Sequence, residues 1–391
     1  MIVGGGSAGT ILANQLDGGR EAVTLLTASM EHLFQPALLY IAFTGAKTKV
    51  VRDERRLIRR QVNLVQERVT KVDLIQQVVE GSGGNRYPYD RLVLATGVRT
   101  DPDQIPGLAT VYREFGNYHS GVALAQRLWG ALQNFDGGTI ALGQSTPICV
   151  CPPSPVEGIL LLDRFLRQRG LRHKTRLVLF TPYPRAYPAQ GINSVVEPIL
   201  TERGIEVMTF FDLDRIDPEA RVIHSIEGDA ITYDLPIIIP PFVGPDIAFE
   251  PATVVDPSGF LLTERETLRV KDFESVYAIG DGSSLPTSKA GVGAHLEAKV
   301  VARALRGERA VFNGRTNCPM DLGDGRGTFV IGSYRTPVVP YRPSRLKLLM
   351  KHAMASMYWI SLRGTLEPIF DIYFRLTTPE RLSHRRGTKA A

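Results

Sequence analysis

The chain opens on a short apolar run, Met1–Val3, which breaks at once into glycines. The next apolar block, Ala8–Leu16, has the length and small side chains of a buried helix. A second apolar, β-rich run follows at Ala22–Thr27. Strand, glycine turn, helix and strand at this spacing predict a parallel βαβ unit. Further along, Tyr87–Gly97 reads as one buried strand ending in a turn of small residues. A strand at Gly137–Gly143, a helix over Val156–Arg169 and a strand over Arg176–Pro182 predict a second βαβ unit. Asp234–Gly244 reads as the crossover back to the first unit, and Ser275–Asp281 as a late strand before a helix over Val292–Arg306. Near the C-terminus, Leu346, Leu349, Met350, Ala353, Met357 and Ile360 recur at helical spacing.

Composition narrows the class. With 391 residues, 43% hydrophobic and 22% charged, the chain has material for more than one ordinary globular domain. A net charge of +6 without a basic, aromatic-laced stripe argues against nucleic acid. It suits an anionic cofactor, an anionic substrate or an acidic membrane surface. The three cysteines, Cys149, Cys151 and Cys318, are too few for a disulfide framework. No apolar run reaches the roughly 18 residues of a spanning helix. No secretory-signal pattern is visible. The strand before the first glycines is short enough that a start a few residues upstream is expected.

Gly4, Gly6 and Gly9 form G-x-G-x-x-G between strand and helix, with Ser7 and Ala8 inside the motif. Such glycines permit a tight turn and let the backbone approach a pyrophosphate at a helix N-terminus. The acid expected at the end of the second strand is absent: Thr27 stands there, and Glu31 is the nearest carboxylate. Two more turns follow, Leu92–Gly97 with Ala95, Thr96 and Gly97, and Val276–Asp281 with Gly280 and Asp281.

These three pieces, in this order, resemble the two-dinucleotide-domain flavoproteins of the disulfide reductase type. The resemblance implies an α/β fold with two Rossmann-like dinucleotide-binding domains and FAD in the first. It places Asp281 on the ribitol chain of FAD; a helix-cap aspartate is the alternative. Where pyridine-nucleotide users carry a second glycine motif, this chain reads Gln144–Ser145–Thr146–Pro147, then cysteines and prolines. Proline offers no N–H to a phosphate, so NAD(P)H binding is expected to be lost.

Within that class, Cys151–Gly170, Leu285–Ala302, Asn317–Tyr334 and Glu31–Tyr40 resemble the sulfide:quinone oxidoreductases and the related flavocytochrome c sulfide dehydrogenases. The resemblance runs from Met1 to about Tyr334 and implies that Cys151 and Cys318 are the redox-active pair. Two unrelated core thiols are the alternative. Cys149 has no assigned counterpart. The region Phe115–Leu128 carries no cysteine that could hold the flavin, so FAD is expected to bind non-covalently. Glu157 is a candidate for proton handling, against a solvated helix-start glutamate. Lys289, just before the helix start at Gly291, is a candidate for charge at the flavin, against a surface lysine. His119 and His295 are weaker proton-relay candidates.

The implied organisation places the two parts of an FAD-binding domain at 1–112 and 241–325. A second Rossmann-like domain with the redox cysteine falls at 113–240. A C-terminal amphipathic region for membrane association and the quinone site falls at 326–391. In that region Lys347, Lys351, His352 and Arg363 edge the apolar stripe, with Tyr358 and Trp359 beside it, which fits a helix lying in the bilayer interface. A core or dimer-packing helix has the same pattern. The function implied is oxidation of sulfide to polysulfide or zero-valent sulfur, with electrons passed to a membrane quinone. A cytochrome c-linked sulfide dehydrogenase, a type II NADH:quinone oxidoreductase, a non-catalytic sulfide-sensing flavoprotein and homo-oligomer formation stay open.

Overall fold

The computed structural model describes residues 1–376 apart from 17, 20, 21, 340 and 366. The basic tail and Leu366 therefore lie outside the described residues. The chain begins β1 (Ile2–Val3), α1 (Ser7–Leu16), β2 (Thr24–Thr27), β3 (Asn63–Gln66) and β4 (Leu92–Leu94). A second set follows: β5 (Gly138–Gln144), α2 (Ser154–Gln168), β6 (Thr175–Phe180), β7 (Glu206–Met208) and β8 (Leu235–Ile239). The chain then supplies β9 (Val276–Ala278), α3 (Gly291–Leu305), β10 (Thr316–Asp321), β11 (Gly327–Gly332), α4 (Arg345–Ser361) and α5 (Glu367–Leu376).

The first sheet is parallel, in the order β9-β4-β1-β2-β3. Its middle strand β1 is two residues long, but both are buried and each pairs on both sides, Ile2 with Leu25 and Val93. Continuous apolar strands are what a sheet covered on both faces requires. One cover is α1, whose Ile11, Leu12 and Ala13 are buried and which packs against α3. Full burial of a Leu such as Leu12 or Leu25 stabilises by about 1.5–3 kcal/mol. The second sheet, also parallel, runs β7-β6-β5-β8, with α2 as one cover. Two Rossmann-like units result, in agreement with the expected fold class.

Two expectations are corrected. Tyr87–Gly97 is two strands: Arg86–Pro88 joins an antiparallel sheet with Val78–Gly81, while β4 belongs to the parallel sheet. Pro88 has no N–H to extend a ladder, and exposed Asp90 and Arg91 mark the corner. Asp234–Gly244 is more than a crossover. Its first half is β8 in the second sheet, and Phe242–Val243 then pairs antiparallel with Arg99–Thr100. The two chain passages between the units are thus stitched to each other.

Candidate redox site

The sheet order brings the three glycine turns to one edge, at the C-terminal ends of β1, β4 and β9, where a doubly wound fold binds its ligand. Gly4 has φ 111°, and a Cβ there would lie 2.2 Å from the Ala95 carbonyl oxygen. At Gly9 a Cβ would lie 1.9 Å from the Gly4 oxygen, so only glycine lets α1 start this close to the strand. Gly6 and Gly97 face open space, and Gly97 has φ 65°. Gly282 backs onto Gly97, where a Cβ would meet the carbonyl at 2.7 Å, and Ala8 lies beside Gly280. The Thr96 hydroxyl is buried with no hydrogen-bond partner among the described residues. A bare helix N-terminus, a glycine cradle and an orphaned hydroxyl fit the pyrophosphate of a dinucleotide. Thr27 is buried and its hydroxyl donates to the Ser29 carbonyl at 2.9 Å, and Glu31 is exposed.

Asp281 lies in a short 3-10 turn, Gly280–Gly282, on a cleft also lined by Ser288, Lys289, Ala294 and Glu297. Burial raises the Asp281 carboxyl and Lys289 pulls it down. Lys289 is no surface lysine. Its ammonium donates to the carbonyls of Asp281 (2.9 Å) and Ser283 (2.6 Å) and sits 4.6 Å from the Phe260 ring centroid. Burial lowers its pKa, against the pull of Asp281 and Glu297. Gly291 opens α3, exposed.

The same short segment reaches both predicted cysteines. The Cys151 N–H donates to the Lys289 carbonyl at 2.8 Å, and the Ser288 hydroxyl lies 3.4 Å from the Cys318 sulfur. Cys318, on β10, is buried, while Cys151 is half-buried in the loop before α2. Cys151 has φ 64°, a left-handed conformation costly for a residue with a Cβ and typical of functional turns. All three cysteines are free thiols. Burial pushes the thiols of Cys151 and Cys318 up, Cys318, Glu157 and Cys149 raise Cys151 further, and Lys351 pulls both thiols down. Cys149 is pushed up to about 12 by burial.

Glu157, on the first turn of α2, is buried, so the solvated reading fails. Its Oε1 accepts from the Asp321 N–H at 3.0 Å and is paired with the Lys351 ammonium. Burial raises its pKa; Lys351 opposes this. His119 is buried, 2.7 Å from the Ser154 hydroxyl, and burial lowers it to about 3. His295 lies 2.9 Å from Glu367 on α5. Among the described residues, neither histidine is hydrogen-bonded to a cysteine.

Lys351 comes from α4, and its role was misjudged from sequence. The stripe Leu346, Leu349, Ile360 faces outward, with Leu346 and Leu349 each 65% exposed. The inward stripe is Leu348, Lys351, Ala355, Tyr358 and Leu362. Tyr358 and Trp359 are packed into the protein, against Phe34 and His32, and so are not an interfacial belt. A lysine interrupting an otherwise apolar inward stripe signals a buried partner, here Glu157. Glu297 was missed as well. Buried on α3, it accepts from the Gly280 N–H at 2.6 Å, and burial raises it to about 7.

Comparison with known proteins agrees with this picture. Residues 1–147 match the family described as pyridine nucleotide-disulphide oxidoreductase. The mouse mitochondrial sulfide:quinone oxidoreductase is 26% identical, over 93% of this chain and 86% of that protein. The solved sulfide:quinone oxidoreductase of Aquifex aeolicus superposes with a TM-score of 0.80 at 19% identity, over 93% of this chain and 91% of the other. The Plasmodium falciparum NDH2 solved with NADH gives a TM-score of 0.69 at 13% identity, over 94% and 97%. At such identities the two structures speak for the fold alone. Motif, fold and relatives define the class: the chain is an FAD-dependent oxidoreductase of the two-dinucleotide-domain type. Within that class it is similar to the sulfide:quinone oxidoreductases.

Proposed function

We propose that this enzyme oxidises sulfide to polysulfide or zero-valent sulfur through Cys151 and Cys318 and passes two electrons to a membrane quinone. The observation that carries the reading is the Ser288–Lys289 segment. It touches Cys318, Cys151 and the Asp281 turn at once, so two distant cysteines and the expected cofactor edge share one place. Gly4–Gly9, Ala95–Gly97 and Asp281 would hold FAD without a covalent link to the chain, and FAD bound there would supply the two-electron redox chemistry.

The residues do the rest. In the oxidised enzyme Cys151 and Cys318 form a disulfide. Hydrosulfide attacks one sulfur; the Cys–Cys bond breaks, a persulfide forms and the other cysteine leaves as thiolate. Lys351 stabilises that thiolate, and Glu157 accepts or returns a proton through the same pair. The Lys289 ammonium and the N-terminus of α3 favour negative charge at the cofactor edge. The exposed face of α4, with Leu346, Leu349 and Ile360, joined by Ile369 and Ile372 on α5, is the proposed attachment to the bilayer and the approach for quinone. No helix among the described residues is long and apolar enough to cross a membrane, which fits a monotopic attachment.

The second unit supports an electron source other than NADH. After β5 the chain runs through Pro147, Pro152 and Pro153 into α2, so the helix start offers few free amides to a phosphate. Anaerobic mixing of the purified flavoprotein with sulfide or NADH tests the reading. Sulfide is expected to bleach the flavin and NADH to leave it oxidised; the reverse result overturns the assignment.

A further inference from the structure

The first turn of α1 is tied to α4 by a buried polar ring that the redox chemistry does not use. The Ser7 hydroxyl lies 2.7 Å from the Tyr358 hydroxyl. That hydroxyl lies 2.6 Å from Nε2 of His32, whose Nδ1 lies 2.7 Å from Glu54. The other Glu54 oxygen accepts from the Thr10 hydroxyl, which returns the ring to α1. Thr10, His32 and Glu54 are at most 2% exposed. Farther along α1, the Asn14 amide donates to the Leu362 carbonyl at 2.7 Å, just past the end of α4. α1 thus holds α4 at two points.

Ser7 sits inside the glycine motif, at the amide end of α1. Its position determines how the loop meets a pyrophosphate. Tyr358 restricts Ser7, and α4 in turn carries Lys351 to Glu157 and presents the exposed apolar face. We propose that Tyr358 is a positioning residue for the dinucleotide, acting through Ser7, and that FAD binding and the docking of α4 strengthen each other through this contact. The proposal rests on the reading of Gly4–Gly9 as the FAD site. Its physical basis is linkage: whatever fixes Ser7 in its docked position raises affinity for the ligand, and the ligand returns the same factor to helix docking.

Backbone hydrogen exchange of α4 in the full-length protein, deflavinated and reloaded with FAD, reads the coupling without any turnover. FAD is expected to raise α4 protection in the wild type. Tyr358→Phe removes the link to Ser7; it is expected to abolish most of that gain and to weaken FAD binding on the order of tenfold. Trp359→Phe, a packing control on the same helix, is expected to lower protection equally with and without FAD and to leave FAD affinity unchanged. Where Tyr358→Phe fails to fold, Ser7→Ala breaks the contact from the other side and is read in the same way. An FAD-dependent gain of equal size in wild type and Tyr358→Phe overturns the coupling. So does unchanged FAD affinity in Tyr358→Phe. Failure of the wild-type chain to take up FAD refutes the cofactor reading and the coupling with it, which distinguishes the two failures.

Discussion

Lys351→Met removes the cation from a carboxylate that has almost no water. The side chains of Glu157 and Lys351 are 3% and 13% exposed, so solvent cannot replace the lost partner. Without Lys351 nothing with a full positive charge opposes the burial that already raises the Glu157 carboxyl, and breaking a buried pair by removing one partner costs roughly 3–5 kcal/mol. The low end of that range is expected, because burial raises Glu157 in the wild type as well. The sign follows from the raised folded pKa. The deficit is small below the unfolded carboxyl value of about 4.3 and grows as pH rises from there toward the raised folded value. Urea unfolding of the FAD-loaded variant at pH 5 and pH 7, beside wild type, measures it. The double variant Lys351→Met/Glu157→Gln is expected to recover most of the loss. A deficit that is the same at both pH values, or no recovery in the double variant, would refute the reasoning.

Other outcomes follow from the same geometry. Iodoacetamide labelling of Cys151 and Cys318 is expected to need a higher pH in Lys351→Met, because the cation that pulls both thiols down is gone. Gly9→Ala, with its Cβ 1.9 Å from the Gly4 oxygen, is expected to yield protein without FAD absorbance; normal flavin content would contradict the close helix start. Leu346→Asp/Leu349→Asp is expected to abolish sedimentation with anionic lipid vesicles and leave the melting temperature unchanged, since both side chains are 65% exposed. Glu297→Gln is expected to flatten any change in FAD affinity between pH 6 and pH 8: the native carboxyl, raised to about 7, is neutral at the lower end and charged beside Asp281 at the upper.

Much of the fold was legible because its signals are local. The strand, glycine turn and α1 stand within the first sixteen residues, and Gly4 and Gly9 answer close approaches that the sequence spacing already demands. The expectation for Cys151 and Cys318 rests on the short motifs around them, and both cysteines meet the Ser288–Lys289 segment. What sequence could not supply was the direction of α4. Leu346, Leu349 and Ile360 on one side and Leu348, Tyr358 and Leu362 on the other are both apolar, so periodicity alone does not say which stripe is inside. The stripe read from sequence as facing the bilayer is the exposed one; the second, inward stripe goes unrecognised there, so Lys351 reads as a flank rather than as a buried partner of Glu157. Glu297 escaped notice because one buried acid on an amphipathic helix looks like any solvated glutamate until Gly280 is seen donating to it.

The central claim is that Cys151 and Cys318 act as one redox pair beside the flavin. Peptide mass analysis of the air-oxidised FAD-loaded protein, digested without reductant, tests it most directly. A cross-link between the Cys151 and Cys318 peptides, with or without extra sulfur atoms and lost after one equivalent of sulfide, is the predicted result. A link between Cys149 and Cys151 instead, or two free thiols in a protein whose flavin sulfide still bleaches, would contradict it.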